Sequence, residues 1–153
     1  IKNIRFHIIG KVWQSQIKYN QKITQLIKNK KLNNIYFYDL IDKDKIKKKL
    51  INSDVYICTS KNESSPMAIW EAMSCYLPII STDVGDLNKF NRKYNFGIII
   101  KNKSASNFKK SIFYFYKDKK LSVKYGNKSA FCVYNEMNVK NSYKKFEKKL
   151  IRL

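Results

Sequence analysis

The sequence predicts an α/β fold: a doubly wound parallel sheet with helices closing its C-terminal end. Three observations predict it. Five short runs rich in Ile, Tyr, Phe and Val alternate with segments whose apolar residues follow a helical period. The runs recur at spacings of about 20 residues, suited to right-handed βαβ crossovers rather than to hairpins. The third run, DVYICTS at 54–60, is apolar enough to lie centrally with both faces covered. Together these describe one Rossmann-like domain over residues 1–153. A chain of 153 residues with 44% hydrophobic residues is long and apolar enough to build a core. It begins at Ile1 rather than Met, on the approach to a strand, and is expected to be a piece of a longer protein.

The elements follow in order. IRFHII (4–9) is a β-branched and aromatic run closed by Gly10, hence strand then turn. A single glycine there is no dinucleotide fingerprint. From Trp13 to Lys31, Ile17, Ile23, Leu26 and Ile27 fall near one helical face, predicting an amphipathic helix over a sheet. Asn33-Asn34 break it, and IYFYDL (35–40) is the second strand. Asp42 and Asp44 suit the start of the next helix, which carries Ile46, Leu50 and Ile51 and stops at Asn52-Ser53. After the third strand comes the polar loop KNESS. Ser65 is placed as a cap and Pro66 as the first helical residue of MAIWEAMSCY, a helix ended by Pro78. LPIIST is the fourth strand, DVGDL a turn, 88–93 a short helix and FGIIIK (96–101) the fifth strand. Helices are expected over 104–119, 120–136 and 139–153, the last lysine-rich.

Composition narrows the partners. The formal charge is +21, from 32 Lys and Arg against 11 Asp and Glu, and only Arg5, Arg92 and Arg152 are arginines. Base and phosphate readers lean on arginine, so a nucleic-acid partner is not expected. The plain reading is a solvated lysine surface filled by an AT-rich coding sequence. An anionic membrane surface or a phosphorylated substrate is the other. Cys58, Cys75 and Cys132 form no metal or redox spacing and read as small core residues in a reducing, cytoplasmic setting, with a peripheral place at a membrane left open by the charge. His7 is the single histidine, which argues against Ser-His or Cys-His catalysis and against a metal site. No apolar run approaches the 18 residues of a membrane span.

The chemistry concentrates between Thr59 and Gly85. Ligands of open parallel sheets bind beyond the carboxyl ends of the strands, where helix N-termini point. The 60–66 loop lies there, with the N–H groups of Ser64, Ser65 and Met67 available to a diphosphate and none from Pro66. Glu63 would project into the crevice. Glu71, eight positions on, sits among Ile69, Trp70, Ala72 and Met73, company in which a buried carboxylate needs a partner such as a sugar diol. Spacing alone also allows Glu63 to cap the helix with Glu71 simply exposed, or the two to act as an acid/base pair.

The run Ser60, Glu63, Ser64, Ser65, Pro66, Met67, then Glu71-Ala72-Met73, then Pro78 to Gly85 (PIISTDVG), resembles the donor-binding signature of family 4 glycosyltransferases. These are retaining enzymes with two Rossmann-like domains, the GT-B arrangement, and the E-x7-E spacing and the tail match in register. The resemblance implies the C-terminal, nucleotide-sugar-binding half of an enzyme that transfers a hexose from a nucleoside diphosphate sugar to an acceptor hydroxyl of a glycan or lipid-linked acceptor. It implies Glu63 at the catalytic centre against the donor hexose and Glu71 on the ribose hydroxyls. The backbone from Ser64 to Met67 would lie by the sugar and diphosphate, and Tyr38 and Asp39 near the base. It implies no metal and no cofactor beyond the donor. The family's N-terminal acceptor domain and a basic pair upstream of residue 1 are missing, so this chain alone is expected to be inactive. Two positions depart from the family: Ser64, where glycine is frequent, and Tyr76-Leu77, where glycine precedes the Pro-Ile-Ile strand. The alternative reading is a non-catalytic Rossmann-like binding or regulatory module.

Overall fold

A computed structural model describes residues 3–141. Within them, strands and helices alternate as the periodicity predicts. The elements are β1 (Phe6–Ile9), a 3-10 turn (Gln14–Gln16), α1 (Ile17–Asn29), β2 (Ile35–Tyr38), α2 (Lys43–Ile51), β3 (Tyr56–Cys58), α3 (Met67–Ser74), β4 (Ile79–Thr82), α4 (Leu87–Tyr94), β5 (Gly97–Ile100), α5 (Ala105–Lys117) and α6 (Lys119–Glu136). Most of the helix expected over 139–153 lies outside the described residues; positions 139–141 are helical. The Rossmann-like α/β class is therefore observed.

The five strands make two parallel sheets, β1-β2 and β3-β4-β5, rather than the single ladder expected. Ladders are built from local backbone pairing, and the strands are only three or four residues long. The chain correspondingly divides into two compact units, Ile1–Ile46 and Lys47–Leu153.

In the first unit β1 and β2 pair from Phe6↔Ile35 to Ile9↔Tyr38, and Gly10 N–H continues the ladder onto the Tyr38 carbonyl at 3.0 Å. Asn34 donates its side-chain amide to the Ile4 carbonyl at 2.7 Å, which fixes the entry into β2. Of the four apolar residues predicted on the inner face of α1, Ile23 and Ile27 are half-buried, while Ile17 and Leu26 stand exposed. The helix buries no residue fully.

The second unit is a three-stranded parallel sheet covered by helices on both faces. β4 lies between β3 and β5, with Cys58 opposite Ser81 and Ser81 opposite Ile99. Alternation along each strand sends successive side chains to opposite faces. Ile79 joins Ile69, Trp70, Met73, Leu77, Leu87, Phe96 and Cys132, contributed by α3, α4, α6 and their connections. Ile80 and Ile100 meet Phe115 on α5, with Ile57 and Ile112 packed around them. All four residues of β4 are buried, as a central parallel strand requires.

Two turns hold this unit's layers close. α3 ends in a Schellman motif: Leu77 N–H reaches the Ala72 carbonyl at 3.2 Å and Tyr76 N–H the Met73 carbonyl at 3.1 Å. Tyr76 occupies its left-handed position, φ +61°. Glycine at that site avoids the Cβ clash, which is the physical sense of the family's glycine before the Pro-Ile-Ile strand. Gly126 of α6 packs on the same turn; a Cβ there would collide with the Tyr76 carbonyl.

Candidate functional site

The carboxyl ends of β3 and β4 lie side by side because Cys58 pairs with Ser81. The loops that leave them are therefore neighbours; two contacts join them and a third braces the first loop on itself. Thr82 Oγ1 donates to the Ser60 carbonyl at 2.6 Å. Ser60 Oγ in turn donates to Glu63 Oε1 at 2.9 Å, bracing one oxygen of that carboxylate. Gly85, φ +51°, presses on the same loop: a Cβ there would come within 3.0 Å of the Ser64 carbonyl oxygen and 3.3 Å of Pro66 Cδ. A glycine is required at that approach both for space and for its left-handed backbone.

Between the two loops is an open depression of about 550 Å³ lined by Lys61, Asn62, Glu63, Ser64, Asp83, Val84 and Gly85. Glu63 and Ser64 are exposed in it. Asn88 donates to Asp83 Oδ2 at 3.1 Å, so Asp83, like Glu63, has one carboxylate oxygen held by a neighbour. Lys103 Nζ donates to the Lys61 carbonyl at 2.9 Å and ties the approach to α5 to the loop.

The start of α3 differs in three details from the sequence expectation. Pro66 is the N-cap rather than the first helical residue, with φ −78° and ψ 74°. These are inverse γ-turn angles, and they bring Met67 N–H onto the Ser65 carbonyl at 2.9 Å. The Met67 N–H is thus engaged, and Met67 instead offers a side chain that is 62% exposed. Neither Ser65 nor Glu63 caps the helix, since its N-cap receives no side-chain hydrogen bond; Ser65 Oγ faces Met67 Sδ at 3.9 Å and Glu63 is held by Ser60. Among the described residues no backbone carbonyl takes the N–H of Ser64, Ser65 or Ala68, so these three are the donors at the helix start.

Of the two readings of Glu71, buried with a partner or simply exposed, the structure shows the second. Ile69, Trp70, Ala72 and Met73 are buried, but Glu71 lies on the opposite side of α3 and is exposed. Its carboxylate and that of Glu63 both act on Tyr56. The Tyr56 phenol is pushed up to about 12, first by burial, then by the negative fields of Cys58, Glu71 and Glu63. Cys75, which caps the C-terminal end of α3, has its thiol raised by burial, with Lys47 opposing and Glu71 adding to the shift.

Ser64 is not among the residues with positive φ, so serine replaces the family's frequent glycine there without backbone strain. All of Glu63, Ser64, Ser65, Pro66, Met67 and Glu71 belong to the second unit, but of them only Glu63 and Ser64 line the depression; the others follow along the loop and α3. Tyr38 and Asp39 belong to the first, at the end of β2; Tyr38 hydroxyl meets His7 Nδ1 at 3.0 Å and Asp39 Oδ1 accepts the Leu40 N–H at 2.8 Å. Sequence reasoning left Asp83, Asn62 and Lys61 out of the site. The signal for Asp83 was present: it follows a strand parallel to β3, and the rule that ligands lie beyond strand ends applies to both strands.

Comparison with known proteins adds the family. Residues 1–130 match the family described as glycosyl transferases group 1. No protein of curated function matches by sequence. Among solved structures, the C-terminal domain of a group 1 glycosyl transferase, LpcC, from Francisella tularensis superposes with a TM-score of 0.77 at 17% identity, covering 90% of each chain. Alr3699/HepE from Anabaena, in complex with UDP, gives a TM-score of 0.83 at 16% identity, over 98% of this chain and 41% of that one. Sucrose-phosphate synthase from Thermosynechococcus elongatus gives 0.78 at 18% identity, over 95% and 38%. This chain thus spans about two-fifths of the length of the latter two.

Proposed function

The chain belongs to the group 1 glycosyl transferases, and from that premise we propose that it forms the nucleotide-sugar-binding part of a retaining glycosyltransferase. The reaction moves a hexose from a nucleoside diphosphate sugar to a hydroxyl of a glycan or lipid-linked acceptor, with no metal. The acceptor side comes from a separate N-terminal domain, and the 153-residue chain alone is inactive. The observation that carries the reading is the braced loop at the edge of the parallel sheet. There Glu63 is held by Ser60, Gly85 packs beneath Ser64, and the N–H groups of Ser64, Ser65 and Ala68 lie at the start of α3.

In this reading Glu63 accepts from hexose hydroxyls with the oxygen that Ser60 leaves available. Glu71, exposed on α3, accepts from the ribose diol. The helix start and its N–H groups stabilise the charge that grows on the departing nucleoside diphosphate. That the Anabaena neighbour is in complex with UDP-glucose supports a ligand of this class.

Titration calorimetry of the whole chain with UDP-glucose, GDP-mannose and ADP-glucose tests the proposal. At least one should bind, and Glu71→Ala should weaken it by roughly ten- to a hundred-fold, the range for hydrogen bonds to a charged group. Absence of binding by all three donors, or affinity indifferent to Glu71→Ala, overturns it. Sugar transfer by the isolated chain overturns the claim that it is inactive alone.

A further inference from the structure

The outward face of α5 carries Ser106, Lys109, Lys110, Phe113, Tyr114 and Lys117, which line a shallow groove of about 480 Å³. They follow i, i+3, i+4 spacing and so form one continuous stripe. The opposite stripe, Phe108, Ser111, Ile112 and Phe115, is turned to the core beneath β4 and β5. Lys109, Lys110 and Lys117 are exposed, Tyr114 is 44% exposed, and Phe113 is half-buried between them. The charge here is not only the lysine bias of the whole chain. From Lys101 to Asn135 the single acidic residue is Asp118, and its carboxylate is engaged as the N-cap of α6, accepting the Leu121 N–H at 3.0 Å. Between Asn52 and Asn88 the balance is reversed: Lys61 stands alone against Asp54, Glu63, Glu71, Asp83 and Asp86.

We propose that the outward face of α5 docks on an anionic lipid surface, with Lys109, Lys110 and Lys117 at the headgroups and Phe113 and Tyr114 at the level of the interface. Flexible ammonium groups flanking aromatic rings suit a fluid layer of phosphates, where no fixed fork geometry has to be met. A nucleic acid fits less well. No arginine lies between Lys101 and Asn141, and the rings are engaged edge-to-face with one another, Phe113 on Tyr116 at 85° and Tyr114 on Tyr125 at 90°, rather than offered as flat stacking platforms. The proposal does not rest on the nucleotide-sugar reading. It adds a consequence to it, because Lys103 ties the start of this helix to the loop that carries Glu63.

The test is co-sedimentation of the whole chain with phosphatidylcholine vesicles, with and without 30% (about one lipid in three) phosphatidylglycerol, at low and high NaCl. The chain should pellet with the anionic vesicles alone and release at high salt. The triple variant Lys109→Gln/Lys110→Gln/Lys117→Gln should bind roughly a hundred-fold more weakly. Lys18→Gln/Lys22→Gln/Lys28→Gln removes the same charge from α1 and should change binding less than about threefold. Circular dichroism checks that both variants fold. Failure to bind anionic vesicles, or equal losses in the two variants, overturns the assignment. So does a duplex oligonucleotide that binds through the α5 lysines while vesicles do not.

Discussion

The two units are written in one grammar and end with different interiors. Each has parallel strands joined through helices, and each contains a helix closed by a Schellman turn with a non-glycine residue in the left-handed position, Lys31 in the first and Tyr76 in the second. Every fully buried residue among those described lies in the second unit, from Pro66 onward. In the first, Ile8, Phe37, Ile17 and Leu26 remain 45–49% exposed although they occupy apolar positions of strands and helix. A correct local pattern therefore produces elements, whereas a core needs layers on both sides of a sheet. The second unit has them: α5 on one face and α3, α4 and α6 on the other. The candidate site loop stands on that cored unit, and its geometry can be held to the tolerance that binding demands.

The largest expected effect tests this contrast directly. Phe96 is 0% exposed and Phe37 is 48% exposed. Phe96→Ala should cost about 3–5 kcal/mol in urea unfolding and Phe37→Ala about 1 kcal/mol or less. Equal losses would mean that the first unit has a core comparable to the second.

A smaller effect probes the half-buried Tyr56 phenol. The folded Tyr56 hydroxyl titrates near 12 against an ordinary value of 10.0, so the unfolded chain loses this proton first as pH rises. Its contribution is whole below pH 10 and falls by about 1.4 kcal/mol per pH unit from there towards about 12. Tyr56→Phe should remove that alkaline decline while leaving the pH 7 stability within about 1 kcal/mol. Parallel declines in parent and variant would place the phenol in solvent.

The smallest is a gain. Tyr76→Gly relieves a left-handed residue whose ring is 63% exposed, and should raise stability by about 1 kcal/mol. A loss would show that the Tyr76 ring contributes more packing than its exposure suggests.

Much of this was legible in the residues. Apolar runs marked each strand within a residue or two, and Pro66 and Pro78 bracketed α3. The E-x7-E spacing and the PIISTDVG tail pointed to the family that residues 1–130 match. Other features were not legible. Glu71 sits among apolar neighbours in sequence, yet helical rotation turns it outward while they turn inward. Asp83 lies 20 positions from Glu63 and enters the same depression only through the pairing of β3 with β4. The inverse γ-turn at Pro66 engages the Met67 N–H, an angle no residue type announces.

The sequence by itself determined the succession of strands along the chain and their parallel sense, the loop that carries the chemistry, and the two glutamates on that loop and the helix after it. Those are consequences of period and spacing, properties of neighbouring residues. Only the tertiary structure decided which side chains share the depression and which N–H groups at the start of α3 are left without a backbone carbonyl. Those depend on register between strands distant in sequence and on which helix covers which face, and both are set by packing.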